Sequence, residues 1–362
     1  MPEPRFIGSE IYRHSRYGGK HPLAIPRVSL AADLCRALGW LPDAQYVDSP
    51  VATVEQLTRF HDSDYVAAVR QCERDGTATE DQRARFNLGV NGNPVFGEIF
   101  RRPATAAGAT LHAIGLLEKG GIVFSPAGGT HHGLKDRASG FCFFNDPVLG
   151  ILAALDRGAT RVAYLDIDAH HCDGVEIALG DDPRVMILSV HEAGRWPRTG
   201  NASDSPRHIH NYPVATGFGD KGFESLMNSE ILPAVRAFGP QLLVLQCGAD
   251  ALADDPMSGL ALSNASHARA AAAAMALAPR LLVTGGGGYN PWATARCWTR
   301  VWGVLNGLEA ASPIGAEAQA VLRAVTWSHS RGRNPQERWF ASVADEPLDT
   351  APAGPTRDEE KL

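Results

Sequence analysis

The stretch RVAYLDIDAHHCDG at residues 161–174 joins an apolar run typical of a buried strand to a dense group of acids and histidines. Four similar apolar runs occur along the chain, and each leads into a segment rich in His, Asp, Ser or Gly. Helical stretches separate these runs, which is typical of a parallel sheet with crossover helices. Because open parallel sheets bind ligands at the carboxyl ends of their strands, we expect the polar segments to converge. The predicted strands are Gly121–Ser125, Arg161–Asp166, Val185–Val190, Gln241–Gln246 and Arg280–Thr284, and the predicted helices are Pro147–Asp156, Phe223–Phe238 and Ser266–Ala278.

Composition and charge are typical of a globular α/β protein and argue against a nucleic-acid-binding one. The 362 residues are 44% hydrophobic and 20% charged, which fits a single large α/β domain. The net charge of −6, with Lys and Arg spread along the chain, argues against a nucleic-acid-binding protein. The six cysteines have no Cys-x-x-Cys spacing, which is typical of free thiols in a reducing compartment. Because the sequence has no secretory or membrane-spanning apolar segment, we expect a cytoplasmic protein that does not bind membranes.

The pattern along the chain predicts one catalytic domain over residues 1–344. Residues 1–100 are predicted to be helical and loop decoration of that domain. Residues 345–362 are rich in Pro and charged residues and lack periodicity, which predicts a flexible tail. A homo-oligomer is compatible with the sequence.

The acids and histidines of residues 166–173 favour a metal site. Asp166, Asp168 and His170 share one side of an extended chain, because alternate residues of a strand face the same way. Asp255, which follows another predicted strand, is the candidate third ligand. Two carboxylates and one imidazole would leave positions open for water and substrate, as in catalytic rather than structural sites. The alternative is that these acids cap helices or form hydrogen bonds within loops.

Two adjacent histidines, His131 and His132, follow the first of the predicted strands. If they stand beside the metal, Asp166 and Asp173 are candidate hydrogen-bond partners for the ring nitrogen of each histidine that points away from it. A carboxylate behind an imidazole fixes its tautomer and raises its basicity, as a general base requires. The alternative is that the pair is incidental.

The turn GGGGY at residues 285–289 follows the last predicted strand. Four glycines let the backbone approach the site closely and place the hydroxyl of Tyr289 over it, where a phenol can donate to a developing oxyanion. A phosphate-binding loop is the alternative, but the Walker lysine and the G-x-G-x-x-G spacing are missing.

Together these motifs resemble the histone deacetylase superfamily, specifically its zinc-dependent class I enzymes and bacterial acetoin-utilisation-type deacetylases. The resemblance extends from about His21 to Trp302 and includes HHGLKDRASGFCFFND at residues 131–146. It implies the arginase/deacetylase fold, a three-layer α/β/α arrangement around a central, mostly parallel eight-stranded sheet.

The resemblance also implies a role for individual residues. Asp168, His170 and Asp255 would bind zinc. His132 would be the general base on the attacking water, His131 its electrostatic or proton-donating partner, and Tyr289 would polarise the substrate carbonyl. Further implied features are an acyl-lysine tunnel lined by Gly140, Phe141 and Trp196, a structural potassium ion held by Asp166, Ser189 and the backbone carbonyls of Asp168, His170 and Val190, and an internal acetate-release channel beside Arg27.

The sequence departs from the family pattern at four places. Cys172 and Asp254 each replace a residue that is usually glycine. The loop GVNGNP at residues 89–94 lacks the acid that grips the substrate's peptide backbone. Arg195-Trp196 stands where an aromatic pair is common, so that Arg195 would make one wall of the tunnel charged. The acid missing from the 89–94 loop favours a small acylated amine as the substrate.

The predicted activity is hydrolysis of the acyl-amide bond of acetyl-lysine, or of a related acylated amine, to acetate and the free amine. An amidohydrolase for acetylpolyamines or other small amides is the alternative within the enzyme class. The arginase branch would need a carboxylate at the position of Cys172 and an Asp-x-Asp pair where the chain has Asp254-Asp255. An inactive acyl-ligand-binding protein is a further alternative, against which the complete set of histidines, ligands and Tyr289 argues.

Overall fold

In the computed structural model, which describes residues 2–310 and 313–345, eight strands form one sheet. The strands are β1 (Arg5–Gly8), β2 (Tyr46–Asp48), β3 (Gly121–Ser125), β4 (Val162–Asp166), β5 (Val185–Glu192), β6 (Ile209–Val214), β7 (Leu242–Gln246) and β8 (Arg280–Thr284). Every neighbouring pair is parallel, and the order across the sheet is β2-β1-β3-β8-β7-β4-β5-β6. The predicted eight-stranded sheet is therefore confirmed, and it is parallel throughout.

Helices cover the two faces of this sheet and one end of it. A π-helical stretch, Met227–Ile231, joins two of them into one longer helical segment. The helices are α1 (Ile11–His14), α2 (Val28–Ala37), α3 (Val54–Leu57), α4 (Ser63–Asp75), α5 (Glu80–Phe86), α6 (Arg101–Leu116), α7 (Asp146–Asp156), α8 (Asp173–Leu179), α9 (Asp220–Leu226), α10 (Leu232–Phe238), α11 (Asn264–Ala274), α12 (Pro291–Leu305), α13 (Ala316–Arg323) and α14 (Arg338–Ala341).

Both faces of the sheet are buried, which explains the apolar runs that reveal its central strands. In β7, Leu243 and Leu245 pack with α2, α11 and α12 on one face. Leu242 and Val244 pack with α6 and α7 on the other face. Because successive side chains of a strand point to opposite faces, a strand buried on both sides reads as a continuous apolar run.

The predicted central elements agree with the structure, whereas the sheet edges do not. β3 and β8 have the predicted bounds, and the other predicted strands differ by one or two residues at an end. Residues 1–100 are more than helical and loop decoration, since β1 and β2 form one edge of the sheet. The prediction missed them because they have only four and three residues. It missed β6, IHNYPV, because this edge strand mixes polar residues and a proline into its pattern.

The predicted tail lies almost wholly outside the described residues. Its first residue, Asp345, is described, and its carboxylate accepts a hydrogen bond of 2.6 Å from Arg296. Within residues 2–310 and 313–345, none of the helices has the length and apolar character needed to cross a membrane.

Candidate metal centre and active site

The polar segments that follow β3, β4, β7 and β8 meet at one edge of the sheet, as the sequence predicts. These four strands lie side by side in the order β3-β8-β7-β4, and each ends at that edge. One cavity opens there. Among the residues that line it are His131, His132, Asp168, His170, Asp250, Gly286, Gly287 and Tyr289.

Three of these residues form a cluster with the geometry of a metal site. The Nδ1 atom of His170 lies 3.1 Å from Oδ1 of Asp168 and 2.9 Å from Oδ2 of Asp250. One ligand atom from each residue lies within 4.8 Å of the others, and all three side chains are buried. Two carboxylate oxygens and an imidazole nitrogen are ligands that divalent metals take in open, catalytic sites. The cluster could therefore hold a metal ion.

The electrostatics of the cluster favour a cation. Burial lowers the pKa of His170, but the carboxylates of Asp250 and Asp168 outweigh burial and raise it to about 10. Burial and the nearby charge of Asp168 raise the pKa of Asp250. Two buried carboxylates this close repel each other, and a positive charge between them relieves that repulsion.

Asp255 has a different set of partners. Its Oδ2 atom accepts hydrogen bonds from the backbone N–H groups of Tyr289 (2.6 Å) and Asn290 (3.3 Å), and its Oδ1 accepts one from Met257 (2.9 Å). Both carboxylate oxygens are thus directed at the backbone. Burial, with the charge of Asp250, raises the pKa of Asp255 to about 7. Asp255 fixes the turn that carries Tyr289, and its role as a zinc ligand stays a prediction.

The position of Asp250 in the sequence contains a signal that could have identified it. β7 ends at Gln246, so Asp250 follows four residues later and Asp255 nine residues later. Asp168 lies two residues after the end of β4. A short 3₁₀ turn, Ala249–Ala251, keeps Asp250 close to the strand ends, and Asp250 accepts a hydrogen bond of 2.9 Å from the backbone of Ala169.

The glycine-rich turn approaches the cluster as closely as predicted. The backbone N–H of Gly287 donates to Oδ2 of Asp168 at 2.7 Å. A Cβ atom at Gly287 would lie only 1.9 Å from Oδ2 of Asp250, so a larger residue cannot fit. Gly286 has a φ of 133°, which L side chains rarely adopt. The turn ends at Tyr289, which is 8% exposed and lines the cavity.

The two histidines stand beside the cluster, each with its own carboxylate, as predicted. Nδ1 of His131 lies 2.7 Å from Oδ2 of Asp166, and Nδ1 of His132 lies 2.6 Å from Oδ1 of Asp173. The centroids of the two imidazole rings are 3.9 Å apart. Because Nδ1 of each ring faces its carboxylate, the Nε2 atoms are the ones left for chemistry in the cavity.

The environments of the two histidines shift their pKa values in opposite directions. Burial lowers the pKa of His131, but the carboxylates of Asp166 and Asp168 outweigh burial and raise it to about 9. Burial, together with the charge of His131, lowers the pKa of His132 to about 4. Adjacent groups whose pKa values are separated in this way can act as an acid and a base in one reaction.

A buried hydrogen-bond network behind His131 was missed by the sequence analysis. The hydroxyl of Tyr164 lies 2.7 Å from Oδ2 of Asp166 and 2.6 Å from Oε1 of Gln246. Nε2 of Gln246 lies 2.8 Å from Nδ1 of His131. Tyr164 and Gln246 belong to the neighbouring strands β4 and β7, where they look like ordinary strand residues in the sequence.

The predicted tunnel residues form the outer part of the site. Gly140 has a φ of 53°, and a Cβ atom there would lie 2.5 Å from Trp196 and 2.6 Å from His132. The ring centroids of Trp196 and His132 are 4.6 Å apart, and Trp196 is 45% exposed. The backbone N–H of Phe141 donates to Oδ1 of Asn93 at 3.0 Å, which ties the 89–94 loop to the wall of the tunnel.

Arg195 forms an ion pair with a buried glutamate. Its guanidinium donates to the carboxylate of Glu192 and, at 2.8 Å, to the carbonyl oxygen of Met257. Glu192 is 4% exposed, so that this ion pair is largely buried. The positive charge that the sequence analysis placed in the tunnel wall is therefore balanced by a carboxylate.

Asp254 is held by residues from the C-terminal part of the chain. Its carboxylate accepts hydrogen bonds from Arg338 (2.6 Å) and from the indole N–H of Trp339 (2.8 Å). Arg331 donates to the backbone carbonyls of Asp254 and Asp255, both at 3.1 Å. We call Arg331, Arg338 and Trp339 the C-terminal clamp, because they fix the loop that carries Asp255.

The residues predicted to bind potassium lie on adjacent strands. Asp166 of β4 is paired with Ser189 of β5, and Val190 follows in the same strand. The hydroxyl of Ser189 lies 2.9 Å from Nδ1 of His191. The potassium ion itself stays a prediction.

Comparison with known proteins agrees with this geometry. The sequence pattern of the histone deacetylase domain matches residues 21–305. The chain is 35% identical over 297 residues to histone deacetylase 8 of Danio rerio, a match that covers 80% of this chain and 78% of that protein. It is 34% identical over 292 residues to histone deacetylase 1 of Homo sapiens, covering 78% of this chain and 60% of the human protein.

Solved structures extend the similarity to the whole fold. The crystal structure of an HDAC homolog from Aquifex aeolicus superposes with a TM-score of 0.89 at 32% sequence identity, covering 95% of both chains. The predicted arginase/deacetylase fold is thereby confirmed. With a family match over most of its length and relatives more than 30% identical, this chain belongs to the histone deacetylase family.

Proposed function

We propose that the protein is a zinc-dependent deacetylase that hydrolyses the acyl-amide bond of acetyl-lysine, or of a related acylated amine, to acetate and the free amine. The observation that carries the proposal is one cavity containing a metal-ligand cluster, two histidines with separate carboxylates, and Tyr289. Relatives named as histone deacetylases support it.

Asp168 and His170, with Asp255 or Asp250 as the second carboxylate, would hold one zinc ion, which when bound lowers the pKa of a water molecule and polarises the substrate carbonyl. Their ligand atoms are of the kinds that zinc takes, and they leave positions open for water and substrate. A second metal of the arginase kind does not fit. Cys172 stands where a further carboxylate would be needed, and burial raises the pKa of its thiol well above the ordinary value.

His132 is suited to accept a proton from the attacking water. Asp173 engages Nδ1 of His132 at 2.6 Å, which leaves Nε2 as the basic nitrogen on the side of the cavity. The carboxylate fixes the ring orientation and stabilises the imidazolium that forms when the proton is taken up. His132 is 5% exposed, so bulk water has little access to the transferred proton.

Tyr289 and His131 complete the reaction. The hydroxyl of Tyr289 would donate to the carbonyl oxygen as negative charge develops there. His131, held by Asp166, would supply electrostatic stabilisation or the proton that the departing amine needs. The water oxygen bonds to the carbonyl carbon, the C–N bond breaks, and the products are a carboxylate and an amine.

Hydrolysis of acetylpolyamines or other small amides is the second candidate function, and the 89–94 loop favours it. This loop contains no acid, and the side chain of Asn93 is used to hold Phe141 rather than a substrate. A protein substrate would therefore find no carboxylate in this loop to grip its backbone N–H groups.

The proposal includes two further points. Asp166, Ser189 and the backbone carbonyls of Asp168, His170 and Val190 would hold a structural potassium ion. The protein would work in the cytoplasm, and its six buried, unpaired cysteines fit a reducing compartment.

The test is acetate release by the purified, zinc-loaded protein from a panel of amides: an acetyl-lysine peptide, free acetyl-lysine, an acetylated polyamine and an aryl acetamide. Turnover of the peptide would support a protein deacetylase, and turnover of the small amides alone would support the second candidate. A His132→Ala variant with normal zinc content is the control. If the zinc-loaded protein hydrolyses none of the amides, the proposal is wrong.

A further inference from the structure

A buried ion pair between Glu192 and Arg195 lies between two loops of the site. Glu192 is the last residue of β5, and Arg195 belongs to the loop that follows it and carries Trp196. The side chains of Glu192 and Arg195 are only 3% and 15% exposed. Desolvation offsets much of the attraction within such a pair, so the other groups that it holds are more informative about its role.

Both members of the pair bind a loop that lies more than 60 residues later in the chain. Nη1 of Arg195 donates to the carbonyl oxygen of Met257 at 2.8 Å, and the backbone N–H of Gly259 donates to Oε2 of Glu192 at 2.8 Å. The hydroxyl of Thr216 donates to Oε1 of Glu192 at 2.6 Å. A Cβ atom at Gly259 would lie 2.8 Å from that same oxygen, so the pair and the later loop are in close contact.

Met257 links Arg195 to the turn that carries Tyr289. The N–H of Met257 donates to Oδ1 of Asp255 at 2.9 Å, and Oδ2 of the same carboxylate accepts from the N–H of Tyr289 at 2.6 Å. The side chain of Met257 packs against the hydrophobic cluster that includes Tyr289. Three successive hydrogen bonds therefore connect the guanidinium of Arg195 to the backbone of Tyr289.

Other contacts hold the far ends of the same two loops. Arg331 of the C-terminal clamp donates to the carbonyl oxygen of Asp255 at 3.1 Å. In the loop that follows β5, the carbonyl oxygen of Gly200 lies 3.1 Å from Nε2 of His191. Loss of the hydrogen bond from Arg195 would thus loosen the connection between the loops and leave the far end of each in place.

We propose that Arg195 is a positioning residue that determines where the hydroxyl of Tyr289 stands. It acts through the backbone of Met257 and the carboxylate of Asp255. Because Arg195 directly precedes Trp196, it joins the outer part of the site to the group that meets the oxyanion. The inference rests on the proposed function, in which the Tyr289 hydroxyl donates to the substrate carbonyl. Such a donor needs an exact place, because a misplacement of about 1 Å can cost about 100-fold in rate.

Steady-state kinetics of the zinc-loaded wild type and Arg195→Lys give the first test. Lysine keeps a positive charge beside Glu192, but its single ammonium does not reproduce the fork with which Arg195 binds two partners. We expect Arg195→Lys to lower kcat about tenfold, with KM and zinc content unchanged, because a misplaced oxyanion donor weakens binding of the transition state only. A higher KM with an unchanged kcat would show that Arg195 acts on substrate binding alone, which would overturn the inference.

Two further variants show whether this effect is specific. Arg195→Met leaves the charge of Glu192 buried without its partner and should lower kcat at least as much as Arg195→Lys. If Arg195→Met does not fold, Arg195→Lys still tests the inference, because it keeps the charge. Arg184→Met, which removes an exposed ion pair with Asp182, is the matched control and should leave kcat unchanged.

Double-mutant cycles identify the residue through which Arg195 acts. In the Tyr289→Phe enzyme, adding Arg195→Lys should change kcat by less than about twofold, because the hydroxyl that needs positioning is already gone. In the Trp196→Ala enzyme, the same addition should still lower kcat about tenfold. An effect of about tenfold that persists in the Tyr289→Phe enzyme, or that vanishes in the Trp196→Ala enzyme, would overturn the inference.

Hydrogen exchange, measured by mass spectrometry, separates failure of this inference from failure of the proposed function. We expect Arg195→Lys to speed amide exchange about tenfold in peptides covering residues 285–290, with no change in α6. If the wild type cleaves no amide but exchange speeds up in this way, the positioning role stands and the proposed function falls. If the wild type cleaves amides and Arg195→Lys changes neither kcat nor exchange, the proposed function stands and the inference is wrong.

Discussion

The inner end of the site and its rim are built in different ways. At the inner end, Asp168, His170 and Asp250 follow directly from strands of the central sheet and are at most 8% exposed. At the rim, Phe141 and Trp196 lie on loops, and Trp196 is 45% exposed. The residues that need fixed geometry for chemistry are held by the sheet, and those that meet the substrate are held by segments that can vary without disturbing it.

The number of fixed contacts shows the same contrast. Both carboxylates of the metal-ligand cluster accept backbone hydrogen bonds, Asp168 from Gly287 and Asp250 from Ala169. Phe141 donates one hydrogen bond to Asn93, accepts a long one of 3.5 Å from the hydroxyl of Tyr17, and packs closely against Gly92, where a Cβ atom would lie 2.5 Å from its ring. We therefore expect substitutions to lose more activity at the inner end than at the rim.

The largest effect should come from the carboxylate that completes the metal-ligand cluster in the structure. We expect Asp250→Asn to weaken metal binding by more than about 100-fold, because loss of a ligand's hydrogen-bond partner alone costs about 10- to 100-fold. Asp255→Asn should keep the metal, since an amide oxygen can still accept from the backbone of Tyr289. Metal content after titration with a chelator measures both variants. Loss of metal from Asp255→Asn and retention by Asp250→Asn would make Asp255 the third ligand, as the resemblance implies.

Removing the hydroxyl of Tyr289 should have the next largest effect. We expect Tyr289→Phe to lower kcat by about 100- to 1,000-fold while metal content stays normal, because one donor to the oxyanion is lost. Tyr212→Phe, in the edge strand β6, is a matched control that should leave kcat unchanged. Near-normal kcat in Tyr289→Phe would show that the Tyr289 hydroxyl is not needed for catalysis.

Gly140 joins the two regions, because it lies between Trp196 of the rim and His132 of the inner end. Gly140→Ala combines an unfavourable φ of 53° with contacts of 2.5 and 2.6 Å to those two rings, and we expect kcat/KM to fall roughly tenfold. Gly158→Ala is the control, since Gly158 has a φ of 88° with no atom within 4 Å of the added Cβ. Equal losses of kcat/KM in the two variants would mean that backbone strain, rather than displacement of the rings, limits activity.

The smallest effect should come from the rim itself. We expect Trp196→Ala to raise KM about fivefold with little change in kcat, which corresponds to about 1 kcal/mol of substrate binding. The free energy of unfolding should change by about 1 kcal/mol or less, because much of the side chain is already exposed. Steady-state kinetics and denaturant unfolding measure these quantities. A fall in kcat comparable to that of Tyr289→Phe would show that Trp196 is needed for catalysis and does not act only in substrate binding.

How far the sequence predicts the fold depends on where each strand lies. Strands in the middle of the sheet are buried on both faces and appear as apolar runs, as VMILSV does at residues 185–190. β1 and the edge strand β2 are too short for such a run, and the other edge strand, β6, is too polar. Their place in the sheet follows from pairing with neighbours that are distant in the chain, which local patterns do not contain.

The same distinction applies to the site. His131, His132 and Tyr289 were predictable because they follow strands that the pattern reveals. Asp250 and Asp255 lie in one loop and look alike in the sequence, and the contact of 2.9 Å between Asp250 and His170 depends on how that loop folds back on the end of β4. Arg102, which lines the same cavity, could not be predicted, because its place there depends on how α6 packs against Tyr12 and Tyr17.

The C-terminal clamp affects the order in which parts of the protein fold during synthesis. Arg331 lies 76 residues after Asp255, and Trp339 lies 85 residues after Asp254. At synthesis rates of about 5–20 residues per second, the loop carrying Asp255 leaves the ribosome several seconds before its clamp exists. During that interval the turn bearing Tyr289 lacks the support that Arg331, Arg338 and Trp339 give to its loop. A nascent chain can therefore complete its sheet before its active site takes the final geometry.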